Sequence, residues 1–414
     1  MDVLVERCAG LDVHRDTVVA TVRSPGKRST STRHSETRTF ATHTAALVEL
    51  ADWLAGQRVQ LVAMESTGVY WKPVFYVLEE RLTVWLVNAA HVRNTPGRKT
   101  DVSDSRWIAQ CVECGLVSPS FVPPPPIREL RDYTRYRRAV VEERTRNIQR
   151  LEKVLQDAGI KLSTVASKVL TKSGRAMLDA LVGGETDPVV LADLAKTRLR
   201  AKIPQLQQAL AGRFRAAHHG PLVARILGHI DYLDESIADL DTQIDELLRP
   251  FAQILARIIT ITGVNRITAA VLIAEIGIDM TVFATAGHLA SWAGICPGNH
   301  ASGGKRKHGT TRKGSTALRT GLTEAAWAAA RARGTYMNAH FHQIRGRRGS
   351  SKAIGALRHD ILIAYWHIVH NQVDYHDLGP DWFTRRHTPD HQRRRLVRQL
   401  EKLGYTVTIE ENAA

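Results

Sequence analysis

The 414-residue chain carries 57 Lys and Arg against 41 Asp and Glu, a formal charge of +16, and 43% of its residues are hydrophobic. That content fills ordinary cores and excludes a disordered chain, the length predicts two or three domains, and the positive balance favours a polyanionic partner, nucleic acid first, because Lys and Arg that neutralise phosphates release counterions. A membrane span is not expected, since the apolar run Ile258 to Ala274 is broken by Asn265 and Arg266; the acidic start Met1-Asp-Val-Leu-Val-Glu6 is unlike a signal peptide, and four cysteines in so long a chain predict a reducing cytoplasm rather than a disulfide scaffold.

Residues 1–122 alternate strand-like and helix-like segments. They comprise a strand-like run Ala9–Arg23, a strand at Thr37–Thr42, a helix over Thr44–Ala55, a strand Gln60–Glu65, a helix near Tyr70–Arg81, a strand Thr83–Val87 and a helix from Ser103. This pattern predicts an α/β domain. Four carboxylates stand out in it. Asp12 lies in Gly10-Leu-Asp-Val-His-Arg15, inside the first apolar run, and Glu65 ends the run Gln60 to Met64 just before a Ser-Thr-Gly turn. Asp101 and Asp104, in Lys99-Thr-Asp-Val-Ser-Asp-Ser-Arg106, are three apart at a helix start, a spacing that puts both on one face. Singly, each acid reads equally as a turn residue or a helix cap favoured by the dipole. As an ordered set they are what an RNase H-like nuclease fold needs. Converging acids repel one another unless divalent cations neutralise them, and hard cations such as Mg²⁺ prefer oxygen ligands. Two such ions can hold the attacking and leaving oxygens of a phosphodiester displacement. Cys111 and Cys114 form a Cys-x-x-Cys pair on the last of these helices, but no second pair or histidine partner has zinc spacing, so they read as structural thiols.

The block Pro123–Pro126 predicts an extended spacer and a domain boundary. A helical connector follows over residues 127–250. Ile127, Leu130, Val141, Ile148, Leu151 and Leu155 keep 3/4 spacing with arginines crowding the other positions. Val223, Ile226, Ile230, Leu233, Ile237, Leu240, Ile244 and Leu247 form an uninterrupted coiled-coil seam that Pro250 ends. The heptad leaves open whether the second helix packs on the first within one chain or pairs two chains. Gly159 to Gly220, broken by Gly183-Gly184 and Pro188, shows helical patches and no chemical motif.

A third, mainly α unit spans 251–371. Ile259 to Gly277 has the form of a helix-hairpin-helix, with a Gly263-Val264 turn that can aim backbone amides at a phosphate; Gly263, Asn265 and Arg266 are its candidate nucleic-acid contacts, with small-residue packing as the alternative. From Gly298 to Asp360 thirteen Lys and Arg stand against Glu324 and Asp360 alone. Glycines 303, 304, 309 and 314 interleave the run and let backbone approach a phosphate, which makes Lys305, Arg306, Lys307, Arg312 and Lys313 nucleic-acid-binding candidates. Within Pro297-Gly-Asn-His-Ala-Ser-Gly-Gly-Lys-Arg306, Ser302 can serve as a phosphoryl acceptor with Lys305 and Arg306 stabilising charge, or be an ordinary turn serine; Ser315 is the next candidate. The tail 372–414 carries a basic run, Arg393 to Arg395, and no readable function.

Five blocks, Gly10-Leu-Asp-Val-His, Met64-Glu-Ser-Thr-Gly-Val-Tyr-Trp71, Lys99-Thr-Asp-Val-Ser-Asp-Ser105, Ile261-Thr-Gly-Val-Asn-Arg-Ile-Thr-Ala269 and Pro297 to Lys305, give the chain a resemblance to transposases of the insertion-sequence one-ten family, the DEDD recombinases. The resemblance covers roughly residues 8–371. It implies a RuvC-like (junction-resolvase-like) α/β N-terminal domain, a helical coiled-coil connector and a C-terminal transposase domain. It also implies Mg²⁺ on Asp12, Glu65, Asp101 and Asp104, with Ser302 as nucleophile forming a transient phosphoserine link to DNA. The implied partners are the donor and target DNA, a structured noncoding guide RNA (the bridge RNA), and further copies of the chain in a homodimer or homotetramer whose acidic site and serine meet between subunits. The expected location is the prokaryotic cytoplasm, at the nucleoid. Delegating sequence choice to RNA pairing suits a cationic surface with no major-groove reading motif.

Three other functions compete. A sugar-kinase or actin-like ATPase shares a strand-borne Asp, but Val13-His-Arg15 follows it here in place of a Gly-Thr phosphate turn. A RuvC-like junction nuclease would use the four acids without Ser302, and a non-catalytic nucleic-acid-binding protein would need neither.

Overall fold

The computed structural model describes residues 3–26, 33–66, 68–88, 104–296, 301–303, 305–306, 311–385 and 389–408, which form two units, Met1–Val122 and Pro123–Ala414. The first is built on β1 (Cys8–Val13), β2 (Thr17–Pro25), β3 (Arg33–Ala41), β4 (Leu61–Glu65), β5 (Val84–Val87) and β6 (Pro119–Ser120), in the order β3-β2-β1-β4-β5-β6. β1 runs parallel to β4 and β4 to β5, while β1–β2, β2–β3 and β5–β6 are antiparallel. The strand-like run Ala9–Arg23 is therefore two strands, not one. His14 to Asp16 turn the chain back, with the His14 amide donating to the Thr17 carbonyl at 2.9 Å.

Alternation divides each strand between two faces. Ala9, Leu11, Val13, Val62, Met64 and Leu86 pack beneath helices α1 (Thr44–Gly56) and α2 (Trp71–Leu78). Cys8, Leu61, Ala63 and Val87 face α3 (Asp104–Glu113) with its Trp107, Ile108, Cys111 and Val112. At the far end of α3 the buried Glu113 carboxylate accepts from Arg23 and Arg33, tying the helix to β2 and β3. Cys8 and Cys111 are buried and Cys114 is half-buried, all three free thiols; burial and then Glu113 push the Cys8 thiol up to about 12, so it is unreactive at neutral pH.

In the second unit only Pro123 and Pro124 precede the helix; Pro125 and Pro126 fill the first turn of α4 (Pro125–Asp157), where a missing amide costs nothing. The short helices α5 (Leu162–Val165), α6 (Lys172–Val182), α7 (Pro188–Asp193) and α8 (Ile203–Leu210) lead to α9 (Ala216–Leu247). α9 packs antiparallel along α4 of the same chain: Asp157 meets His219, Glu143 meets His229, Arg144 pairs with Asp234 and Arg137 with Asp241, so partners run from His219 to Asp241 on α9 as they run back from Asp157 to Arg137 on α4. Of the expected seam, Val223, Ile230, Leu233 and Ile244 are buried with Leu227, while Ile226, Ile237, Leu240 and Leu247 are half-buried. The motif-free stretch between the two helices is a core of its own, in which Met177, Leu178, Leu181, Leu191, Leu206 and Leu210 close over Leu151, Leu155 and Val223.

Beyond α9 come α10 (Ala252–Ile259), α11 (Arg266–Ile276), α12 (Ala286–Trp292), the strand pair β7 (Ala301–Ser302) and β8 (Lys305–Arg306), then α13 (Thr316–Arg331), α14 (Tyr336–Arg348), α15 (Ser350–Asn371), α16 (Trp382–Arg385) and α17 (Pro389–Lys402). The segment after Asn371 straps back onto the earlier helices: Asp377 accepts from Thr262, Gly379 and the Tyr336 amide, and Tyr375 donates its amide to Thr260. Among the described residues no helix is long and apolar enough to cross a membrane.

One buried carboxylate joins three of these helices. Glu275 of α11 accepts two hydrogen bonds from Arg135 of α4, at 2.7 and 2.9 Å, and one from the Ser315 hydroxyl at 2.7 Å, while Arg131 donates to the carbonyls of Ala274 and Glu275. Burial alone would raise the Glu275 carboxyl, but these donors and charges outweigh it and hold it below the usual range. A depressed acid stabilises the fold above its unfolded value and loses that contribution as pH falls through the folded one. Glu275→Gln should thus cost about 3 kcal/mol at neutral pH, the scale for breaking a buried pair, and flatten the loss of stability on acidification, as read by denaturant unfolding across pH.

Candidate functional site

β1 and β4 end together. Their last paired residues are Leu11 and Met64, so Asp12 and Glu65 follow side by side at the carboxyl ends of neighbouring parallel strands. Both continue the alternation of Cys8-Gly10 and Leu61-Ala63, which sets them on the face that α3 covers. Asp104 is the first residue of α3, and its position is fixed by a backbone contact. A Cβ on Gly10 would come within 2.2 Å of the Ser105 carbonyl oxygen and 2.3 Å of the Ala109 nitrogen. Ser105 bonds Thr21, the β2 partner of Gly10, through their hydroxyls at 2.8 Å, and the Cys8 thiol donates to the Ala109 carbonyl at 3.3 Å. The helix therefore runs antiparallel to β1 and brings its amino end, with Asp104, to the end of the sheet where Asp12 and Glu65 stand.

Three of the four expected acids thus share one end and one face of the sheet. Asp101 lies outside the described residues. Asp12 is held by His14, Nε2 to Oδ2 at 3.2 Å, and keeps 25% of its side chain exposed, which leaves the carboxylate open to solvent. As a donor set, carboxylate oxygens at the carboxyl ends of two central strands suit a hard divalent cation such as Mg²⁺. The three carboxylates are not drawn within 4.8 Å of one another. Among the described residues the group that meets this distance is Asp157, His218 and His219. That group does not fit a metal: the Arg215 amide donates to His219 Nδ1 at 2.9 Å, so Nε2 carries the proton, faces Asp157 Oδ2 at 3.2 Å and has no lone pair to offer.

In the second unit Ser302 ends β7 and pairs in register with Lys305 across a two-residue turn, and Ala301 pairs with Arg306. Gly303 takes φ +59, the left-handed conformation such tight turns require. The ends of the surrounding segment are pinned together: a Cβ on Gly314 would strike the Ala293 carbonyl at 2.2 Å, and one on Gly294 the Arg312 carbonyl at 2.8 Å. Arg312 and Lys313 are exposed at this base, while Lys307 lies outside the described residues. Ser315, the alternative hydroxyl, is engaged as the cap of α13, accepting from the Leu318 amide and donating to Glu275.

The candidate phosphate turn is accounted for by packing and capping. Gly263, at φ +87, lies where a Cβ would strike the Ala325 carbonyl at 2.4 Å, so its glycine lets the turn seat on α13. Asn265 caps α11 through the Thr268 amide at 2.8 Å, and Arg266 pairs with Asp245 at 2.7 Å. Sequence reasoning missed Gly10, Ser105 and Glu275 as determinants of these sites; the Gly-x-Asp spacing at the end of a strand was the one signal for Gly10.

Two family models match the chain. One, described as a transposase and named for the DEDD type of the IS110 class, covers residues 9–160; the other, described as the transposase IS116/IS110/IS902 family, covers residues 255–342. A probable family 20 transposase of Pseudomonas aeruginosa is 26% identical over 326 residues, 76% of this chain and 85% of the relative. The first match takes in all four acids, and the second takes in Ser302 and most of the cationic run.

Gly10→Ala should cost about 3 kcal/mol by forcing α3 off the sheet, and should depress DNA strand cleavage further than that stability loss explains, because Asp104 moves with the helix. Thermal melting and a cleavage assay below the melting range separate the two effects; full cleavage by a destabilised variant would uncouple Asp104 from this contact.

Proposed function

The chain belongs to the IS110 family of transposases, an enzyme acting on DNA in transposition, and on that premise we propose that it is a serine recombinase guided by a structured RNA. The observation that carries the proposal is the alignment of Asp12, Glu65 and Asp104 at one end and face of an RNase H-like sheet, in a chain that also sets Ser302 beside a glycine-cleared turn in its most cationic segment. With Asp101, these acids would hold Mg²⁺. The ion, when bound, supplies charge neutralisation at a phosphate and activation of an oxygen nucleophile.

The remaining roles fall to the protein. The acids orient the phosphate, and Lys305, Arg306, Arg312 and Lys313 hold flanking phosphates through charge. The Ser302 hydroxyl attacks phosphorus: a serine oxygen–phosphorus bond forms, one bond from phosphorus to a deoxyribose oxygen breaks, and the serine proton ends on the departing sugar oxygen. A hydroxyl at the other DNA end then attacks the phosphoserine, releases the serine and closes the new strand. Guide RNA pairing chooses the sites, and the acids and serine meet within or between the subunits of a dimer or tetramer.

Asp12→Ala, Glu65→Ala and Asp104→Ala should each abolish cleavage with little change in stability, because removing one of several repelling acids relieves charge. Ser302→Ala should retain nucleic-acid binding and trap no covalent protein–DNA band on a denaturing gel, and a mixture of Ser302→Ala with Asp12→Ala should recover activity if the site is shared. A covalent band that persists in Ser302→Ala transfers the nucleophile to another residue and sinks this mechanism. Neutralising Arg306 and Lys307 together should weaken binding to all nucleic acids alike and make the salt dependence shallower by about one unit of slope per lost phosphate contact, measured by titration at several salt concentrations.

A further inference from the structure

α13 and α15 lie side by side, and Arg358 of α15 reaches Thr323 of α13, one turn after the exposed Arg319 on the same helix, with no counter-ion among the described residues. Arg358 of α15 is half-buried; its Nε is buried and has no acceptor among the described residues, and its Nη1 reaches only Thr323 Oγ1 at 3.5 Å. Thr323 already donates to the Arg319 carbonyl at 2.6 Å, so this oxygen is a weak and shared acceptor. Burial first, and then the charge of Arg319, push the Arg358 guanidinium down; among the described residues no carboxylate offsets them. The two acids of this segment face elsewhere: Asp360 bonds His340 at 2.6 Å, and Glu324 lies on the side of α13 that lines a cavity with α4, α9 and α11.

A desolvated cation beside a like charge is costly in the free protein, and nothing among the described residues recovers that cost. Buried arginines are ordinarily matched by a planar or tetrahedral oxyanion that accepts from Nε and Nη together. Nη2 of Arg358 lies 3.6 Å from where a Cβ on Gly355, one turn earlier, would stand, so the fork lies along its own helix. We propose that Arg319, Arg358 and the Thr323 hydroxyl form a seat for one backbone phosphodiester of a bound nucleic acid, separate from the Ser302 segment. The seat rests on the nucleic-acid function proposed above and adds to it a fixed contact point on the α13–α15 pair. The two arginines approach the same phosphate, Arg358 from beneath and Arg319 from the exposed side.

The test compares Arg319→Gln, Arg358→Gln and the double variant with the wild-type chain. Binding is titrated against a random-sequence duplex DNA and, separately, a random-sequence hairpin RNA, from about 50 to 200 mM salt. The double variant should lose about tenfold in affinity, the scale of charge-assisted hydrogen bonds to one group, and its slope of log affinity against log salt should fall by about one contact's worth. Each single variant, leaving one cation on the phosphate, should lose less. Loss in the DNA arm alone assigns the phosphate to DNA, loss in the RNA arm alone assigns it to RNA, and either supports the seat. Melting temperatures of the free variants should equal or exceed the wild type, because a repulsion has been removed. A wild type that binds with its salt dependence intact alongside a double variant of equal affinity and slope overturns the seat alone. A double variant that melts lower and binds normally makes the pair structural and likewise overturns the seat. A wild type with no salt-dependent binding to either polymer overturns the nucleic-acid function together with the seat.

Discussion

The acidic site depends on one backbone-to-backbone contact. With hydrogen in place of a side chain at Gly10, the Ser105 carbonyl and Ala109 amide lie directly on β1, closer than any Cβ allows. The rest of the first unit is arranged around this approach: the Ser105–Thr21 hydroxyl pair and the Cys8 thiol hold the near part of α3, and Glu113 with Arg23 and Arg33 holds its far end. A helix fixed at both ends has no freedom to rotate, so its first residue must face the ends of β1 and β4. Three acids from three separate chain segments are thus brought to one end of one sheet by one helix, the kind of rigid support that the proposed site requires.

The second unit uses charge where the first uses close packing. Glu275 is buried among donors from α4 and α13, and each of its oxygens is satisfied. The same serine that caps α13 completes the set, so the helix following the Ser302 segment starts from a fixed point. Gly294 and Gly314 fix the other side of that segment's base. Among the described residues, the two sides of this base are thus held together by backbone contact, and surface loops set on such rigid bases commonly carry function.

Much of this was legible in the chain. Asp12, inside one apolar run, and Glu65, at the end of another, could be singled out only as members of an ordered set of acids, and the division after Val122 coincides with the prolines. The heptad pattern located both long helices but not their partnership, because a 3/4 stripe records that a face is covered and not by what. The ion-pair ladder from Asp157–His219 to Arg137–Asp241 lays α9 on α4 of the same chain, and it could be found only by pairing positions 62 to 104 residues apart. The stretch Gly159 to Gly220 looked empty because short helices sharing one core leave no periodic signature of their own. The Gly10 contact was invisible for a plainer reason: a residue without a side chain shows its purpose only when its neighbour is known.

The α4–α9 pair is a strut, about 50 Å long at 1.5 Å per residue. Its two ends are held by apolar contacts, Leu151, Leu155 and Val223 at one and the Glu275 cluster's surroundings with Ile244 and Leu248 at the other. Its waist is different. Between Leu233 and Ile244 no α9 side chain is fully buried, Val140 is the one apolar side chain α4 buries between the polar Thr134 and Asn147, and partly exposed ion pairs keep the register. Surface pairs are screened by salt over about 10 Å at 0.1 M, whereas apolar contacts are not. Rising ionic strength therefore softens the strut in its middle before either end lets go, making its bending stiffness a property of the surrounding solution as much as of the sequence.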